Sequence, residues 1–230
     1  MRKMIMDDGF QAYLTEGADF VGEPGIPSLL DLNNTETPRS LIAFDKCKSA
    51  ENHRQYVHFY IHDYRFYSLL SSTRRYLDIL KMFDGVISPD PTILIGQSRC
   101  LQETNTYFNR AIGFFLQKNG IPVIPNVRWG DESTFDFAFL GIPKHQIVSI
   151  SSHGCVMGDI STKNKVRECF CKGLPIMLNE LEPEKVIVYG TMPDNVFGPY
   201  LSKVHFVRFA SEIENYHAKK EDKINGQRNI

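Results

Sequence analysis

Seven short runs of β-branched and aromatic residues, separated by longer segments, constrain the fold of this chain more than any other feature. They are Leu41-Ile42-Ala43-Phe44, Val57-His58-Phe59-Tyr60-Ile61, Val86-Ile87, Val123-Ile124, Ile147-Val148-Ser149-Ile150, Val186-Ile187-Val188-Tyr189 and Val204-His205-Phe206-Val207. Several are apolar throughout rather than alternating, which is the pattern of strands buried on both faces. Helix-length segments lie between them. Ser72 to Met82 places Tyr76, Leu77 and Leu80 on one face. Glu103 to Lys118 carries Tyr107, Ala111, Phe114 and Phe115 and stops at Asn119-Gly120, a helix C-cap. Thr162 to Leu181 carries Val166, Phe170, Leu174, Met177, Leu178 and Leu181, with a kink or break expected at Gly173-Leu174-Pro175.

This alternation predicts an α/β fold with a mainly parallel sheet. Polar residues follow almost every run, which favours an incomplete or irregular TIM-like barrel, whose strand ends converge on one site. The alternative is an open doubly wound sheet, which concentrates such residues at its switch point. The connections Lys48 to Tyr56 and Met192 to Lys203 are too short for full helices and argue against a regular eight-fold barrel. Residues 1–40 read as an N-terminal helix from Phe10 to Leu14 and a Gly/Pro-rich loop, 41–215 as a single α/β domain, and 216–230 as a flexible polar tail.

A chain of 230 residues with 42% hydrophobic and 23% charged residues needs no disulfide or metal to hold a core. The net charge of −1 gives no sign of bulk polyanion binding and leaves room only for a local basic patch. No secretory leader and no membrane span is visible, so a cytoplasmic location is expected. The scattered Cys47, Cys100, Cys155, Cys169 and Cys171 read as reduced thiols, and Cys169-Phe170-Cys171 lacks the spacing of a zinc site.

In parallel α/β folds ligands sit at the C-terminal strand ends. The residues just past the runs are Asp45 and Lys46, His62-Asp63-Tyr64-Arg65, Ser88-Pro89-Asp90, Asn126-Val127-Arg128-Trp129-Gly130-Asp131, Ser151-Ser152-His153-Gly154, Tyr189-Gly190-Thr191 and Arg208. Asp63, Asp90 and His153 are the candidate catalytic residues, and Arg65, Asn126, Arg128, Trp129, Ser152 and Tyr189 the candidate ligand-binding residues. The set suits a divalent metal held by Asp63, Asp90 and a histidine, glycosidic-bond chemistry by paired carboxylates, or anion binding by Arg65 and Arg128. Each group also has a purely structural role open to it. Asp63 and Asp90 are good helix N-caps, and lone histidines are mostly hydrogen-bonded core or loop residues. Trp129 either stacks on a planar ligand or plugs the mouth of the fold, with Arg128 then paired to Asp131 or Asp136.

Several chemistries leave no trace. There is no P-loop and no G-x-G-x-x-G, so no nucleotide-cofactor motif, and no nucleophile elbow around Ser152-His153-Gly154. Arg74, Arg75, Lys163, Lys165 and Arg167 read as solvated charge, with a nucleic-acid face as the alternative.

The ordered strings Phe59-Tyr60-Ile61-His62-Asp63-Tyr64-Arg65-Phe66, Phe83-Asp84-Gly85-Val86-Ile87-Ser88-Pro89-Asp90, Asn109-Arg110, Val123-Ile124-Pro125-Asn126-Val127-Arg128-Trp129, Phe139-Leu140-Gly141-Ile142-Pro143, Ser151-Ser152-His153-Gly154-Cys155 and Val188-Tyr189-Gly190 resemble the family called domain of unknown function 4417. The resemblance spans Leu41 to Gly190. It implies a cytoplasmic protein of phage, prophage or mobile-element type, and it supplies no catalytic assignment. The chain departs from the family pattern after Asp90, where Pro91-Thr92-Ile93-Leu94-Ile95-Gly96-Gln97 stands. A different substrate or activity is expected if that loop touches the ligand.

Three functional expectations remain. The first is an enzyme-like site at the strand ends acting on a nucleotide, a nucleic acid or a glycosidic bond. The second is a non-catalytic protein engaging a host, phage or replication protein through its aromatic residues. The third is a nucleic-acid-binding module. No membrane partner is expected.

Overall fold

In the computed structural model, which describes residues 11–31, 36–153 and 162–217, each apolar run becomes a strand. A small antiparallel pair comes first, β1 (Phe20–Val21) with β2 (Ile26–Pro27). Then come β3 (Leu41–Ala43), β4 (Tyr56–His58), β5 (Gly85–Ile87) and β6 (Val123–Ile124), paired in chain order and all parallel. A second parallel sheet holds β7 (Ile147–Ser151), β8 (Lys185–Tyr189) and β9 (His205–Phe209), again in chain order. The register sets Leu41 opposite Tyr56, Val86 opposite Val123, and Ile147 opposite Lys185.

The two sheets meet at Asn126, which bridges Ser149 in parallel. The Val127 N–H donates to Ser149 O and the Ser149 N–H to Pro125 O, each at 2.8 Å. Neither sheet reverses its strand order. No ladder joins β3 to β9 among the described residues, so no barrel closes.

The helices alternate with the strands: α1 (Tyr67–Ser71), α2 (Leu77–Leu80), α3 (Arg99–Lys118), α4 (Phe135–Ala138), α5 (Thr162–Leu181) and α6 (Asp194–Phe197). Three apolar clusters hold these layers together. One packs α5 and α4 against β7 and β8, through Phe170, Leu174, Met177 and Leu181 on Val148, Ile150, Val186 and Val188. A second packs α3 and the segments after β4 on the first sheet, through Ala111, Ile112, Phe115 and Leu116 on Val57, Val86 and Val123. The third gathers Tyr56, Tyr60, Ile87, Ile124, Ile147, Ile187 and Tyr189, drawn from both sheets.

Several elements depart from what the sequence suggests. The Ser72 to Met82 helix is broken. Ser72 leaves helical geometry, a 3₁₀ turn covers Thr73–Tyr76, and only α2 follows. The Thr73 hydroxyl bonds back to Leu69 O at 2.9 Å and its N–H goes to the Gln11 side chain, so local polar bonds win over the helix ladder. The α3 helix starts at Arg99, four residues before Glu103. Helix α5 runs through Pro175 without a break. Phe170 and Leu174 before the proline, and Met177 and Leu181 after it, are all buried in one cluster, and that packing offsets the lost hydrogen bond. The strand expected over 57–61 ends at His58. The helix from Phe10 is a single 3₁₀ turn over Ala12–Thr15 among the described residues. Phe10 itself, Gly154, Cys155 and the tail beyond 217 lie outside the described residues.

Candidate functional site

The C-terminal ends of β5, β6 and β7 carry a polar network that starts from the backbone. Ser88, just past β5, donates its hydroxyl to Asn109 Oδ1 at 3.0 Å and accepts the Asn126 N–H at 2.8 Å. Asn109, on α3, donates to Pro89 O at 2.6 Å and to Asn126 O at 3.1 Å. These bonds fix the turn that holds Asp90 beside the segment following β6. Asn126 Nδ2 donates to one Asp90 oxygen at 2.8 Å, and Arg128 Nη1 to the other at 2.6 Å. Beneath them the Tyr60 hydroxyl donates to Asn126 Oδ1 at 3.0 Å and lies 2.6 Å from Ser149 Oγ.

Burial sets the electrostatics. It pushes the Asp90 carboxyl above its ordinary value, and the pull of Arg128 and Asn126 in the other direction does not cancel it. It pushes the Tyr60 phenol well up, so the ring stays neutral and donates. Behind the network Arg110 is 1% exposed and pairs with no carboxylate among the described residues. Its guanidinium donates to Leu140 O, Ala138 O, Asn126 O and Asn109 Oδ1. Desolvation lowers its pKa to about 9, so it remains protonated at neutral pH. Arg110 thus ties α3 to the segments around α4 and the end of β6.

A cavity of about 630 Å³ opens over this network, within the usual range for small-molecule sites. Asp90, Arg128, Ser151, His153 and Lys165 supply its polar wall. Ile93, Leu94 and Ile95 on one side, and Val166, Cys169 and Phe170 of α5 on the other, supply its apolar walls. The loop Pro91 to Gln97 is therefore part of the site.

The sequence candidates divide by position. Asp90, Arg128, Trp129 and His153 share the cavity, with Asn126 directly behind. Arg128 pairs with Asp90, and not with Asp131 or Asp136 as the plug arrangement requires. Asp131 instead accepts the Ser133 N–H, and Asp136 binds Arg99. Trp129 is no free stacking platform. Its ring lies against Phe170 at 5.3 Å, and its N–H donates to Cys169 O at 3.2 Å. It is a wall.

Asp63 does not line the cavity, and neither it nor Asp90 caps a helix. Both Asp63 oxygens accept from Thr92, N–H at 3.0 Å and hydroxyl at 2.8 Å. Arg65 pairs with Asp45 at 3.0 Å. Ser152 is buried and donates to Thr191 O at 2.6 Å, while the Tyr189 hydroxyl accepts the Glu212 N–H at 3.1 Å. No group of three His, Cys, Asp or Glu among the described residues is arranged to hold a metal ion.

Sequence reasoning misses Ile93 to Ile95, Lys165, Val166 and Cys169 as site residues. Only a spatial relation joins the loop after Asp90 to the first turns of α5. The supporting Ser88 and Arg110 carry one signal, a polar residue or cation at a position the apolar pattern reserves for the core.

The chain belongs to the family described as Domain of unknown function (DUF4417), which matches residues 18–210. Among its curated relatives are two phage proteins, each called Gene 1 protein. The one from Mycobacterium phage L5 is 35% identical over 136 residues, covering 59% of this chain and 57% of the relative. The one from Mycobacterium phage D29 is 31% identical over 165 residues, covering 69% of this chain and 58% of the relative. The chain thus spans less than two thirds of the length of these relatives. No solved structure matches it. No helix among the described residues is long and apolar enough to cross a membrane.

Proposed function

We propose that the cavity binds a nucleotide-class ligand and that Asp90 exchanges a proton with it. One observation carries this reading: the Asp90–Arg128 pair stands on the wall of a ligand-sized cavity whose remaining sides are apolar. A phosphate finds fixed positive charge at Arg128 and Lys165. A planar, weakly polar body fits between the Ile93 to Ile95 loop and α5. Asp90, raised in pKa and oriented by Asn126, serves as the acid–base group, with His153 lining the same cavity. Asp63 positions the wall, since its bonds to Thr92 hold the start of the loop. The glycosidic alternative loses support because the second carboxylate, Asp63, stands outside the cavity.

The scaffold we propose is an incomplete seven-stranded parallel barrel. The chain-order pairing of β3 to β9 and the interior cluster shared by both sheets support it. So does the ion pair between Lys46, after β3, and Glu212, after β9, at 2.6 Å across the open seam. Similarity to phage proteins supports a phage- or mobile-element-type protein acting in the bacterial cytoplasm.

The test is a thermal-shift series with nucleoside monophosphates, the matching nucleosides and inorganic phosphate. The nucleotide is expected to raise Tm, the nucleoside to do so weakly, and Lys165→Ala and Arg128→Lys to shrink the nucleotide shift. A nucleoside shift equal to that of its nucleotide removes the anion site, and no shift from any of them removes the reading.

A further inference from the structure

We propose that the natural occupant of the cavity is one nucleotide of a single-stranded nucleic acid, with neighbouring bases stacking on an exposed aromatic ledge at His62, Tyr64 and Tyr67. This rests on the nucleotide reading of the cavity. The ledge is unusual for this chain. Most of its aromatic rings pack into the core, whereas Tyr64 is 77% and Tyr67 67% exposed. The His62 and Tyr64 rings already lie nearly parallel, 5.9 Å apart and inclined by 15°. That is a preformed surface on which a base can stack, and stacking of this kind is indifferent to sequence.

A hydrogen-bonded link ties the ledge segment to the cavity wall. Asp63, between the two rings, binds Thr92, and the next residue, Ile93, begins the cavity wall. Cations are at hand. Lys165 lies in the cavity wall, and Lys48, after β3, has its ammonium over the Tyr76 ring. Neither enters an ion pair among the described residues. Arg65, half exposed, adds charge beside the ledge even though it pairs with Asp45. Exposed rings together with cations suit a strand carrying phosphates between bases better than an apolar protein segment. A free mononucleotide would leave the ledge without a role.

The experiment compares a labelled single-stranded oligonucleotide of about ten residues, followed by fluorescence anisotropy, with a mononucleotide followed by thermal shift. The oligonucleotide is expected to bind at least about ten-fold more tightly, with affinity falling as salt rises. The paired substitutions Tyr64→Ala and Tyr67→Ala are expected to remove most of that gain and leave the mononucleotide shift unchanged. Both side chains are exposed, so the variant keeps its fold. If the oligonucleotide binds no better than the mononucleotide, or the variant binds it equally well, the ledge proposal falls while the cavity reading stands. The ledge then serves a protein partner instead. If neither ligand binds, the cavity reading falls and takes the ledge with it.

Discussion

His58 and Asp90 are both buried near the strand ends, yet burial gives them opposite pH dependences. The His58 ring is 2% exposed, lies against the tilted Tyr189 ring at 4.6 Å and accepts the Tyr60 N–H. Burial lowers its pKa from 6.5 to about 3. Between those values the unfolded chain takes up a proton that the native ring refuses, so this contribution to stability is lost as pH falls below 6.5. The variant His58→Asn keeps an acceptor for Tyr60 and cannot titrate. In denaturant melts from pH 7 to 4 it is expected to lose less stability than the parent protein; parallel curves would mean His58 does not titrate this way. Asp90 runs the other way. Its pKa is raised above 3.8, so the native carboxyl holds a proton the unfolded chain has released, and stability drops as pH rises through that window. Asp90→Asn is expected to flatten this fall, with the loss of Arg128's partner appearing as a pH-independent offset. An unchanged slope would show that Arg128 fully compensates the buried charge.

Arg128 shows what a sequence can reveal about a single residue. Its place past a strand marks it as a strand-end cation, but its partner does not follow from chain proximity. Asp131 and Asp136 are nearer in sequence, yet Asp131 accepts from Ser133 and Asp136 binds Arg99. The carboxylate that remains, Asp90, comes from the preceding strand. Arg110 stands beside Asn109 on α3, and its burial is legible only in three dimensions. A cation that donates mainly to backbone carbonyls leaves no complementary acid in the sequence to find.

At the scale of elements, the helix α5 and the strand-end Trp129 are fitted to each other through a residue that looks like a defect. Gly173 lies in the interior of the helix, where glycine costs about 0.5–1 kcal/mol relative to alanine. On propensity alone Gly173→Ala should stabilise. A Cβ there, however, would meet the indole at 2.2 Å, because the N–H edge of the Trp129 ring lies against the helix at this point. The expected outcome is a loss of about 1–3 kcal/mol from overpacking, read as a lower denaturation midpoint. The fluorescence of Trp129 should change with it. A midpoint that rises would show that the indole moves aside freely, and would return Trp129 to the role of a mobile ligand platform. The same close approach explains why α5 is legible as a helix but not as an unbroken one. Periodicity reports its apolar face correctly. The glycine and proline signals at Gly173 and Pro175 are local, and they are overridden by distant contacts, those of Trp129 at Gly173 and those of the buried cluster on either side of Pro175. The stretch after Ser72 shows the converse: its periodicity reads as a helix, and the bond of the Thr73 N–H to the Gln11 side chain, 62 residues away, accompanies the break.

At the scale of the whole molecule, the seven runs announce seven strands in a mainly parallel arrangement, because buried parallel strands cannot hide their composition, but they leave the strand order open. They do not announce the junction between the sheets. That junction rests on two residues, Asn126 and Ser149, whose polar side chains carry no strand signal. The hairpin β1–β2 escapes notice for a related reason, being two residues per strand inside a Gly/Pro-rich loop. With so few backbone bonds at the junction, the union of the sheets depends on the interior cluster, where Ile87 and Ile124 of one sheet meet Ile147 and Ile187 of the other. This makes a prediction about cooperativity. Trp129 belongs to the cluster on the second sheet and is the single tryptophan, while Cys47 is buried in the cluster on the first. Burial raises the Cys47 thiol to about 12, so alkylation there reports opening of the first sheet. If the interior cluster makes one folding unit, Trp129 fluorescence and Cys47 alkylation, followed peptide by peptide across a urea series, should give coincident transitions. Ile187→Ala, at a fully buried position, should shift both midpoints together and cost about 2–5 kcal/mol. Two separated transitions, with only the fluorescence curve moved by Ile187→Ala, would mean that the sheets unfold independently and that the cavity between β5, β6 and β7 is an interface between two bodies.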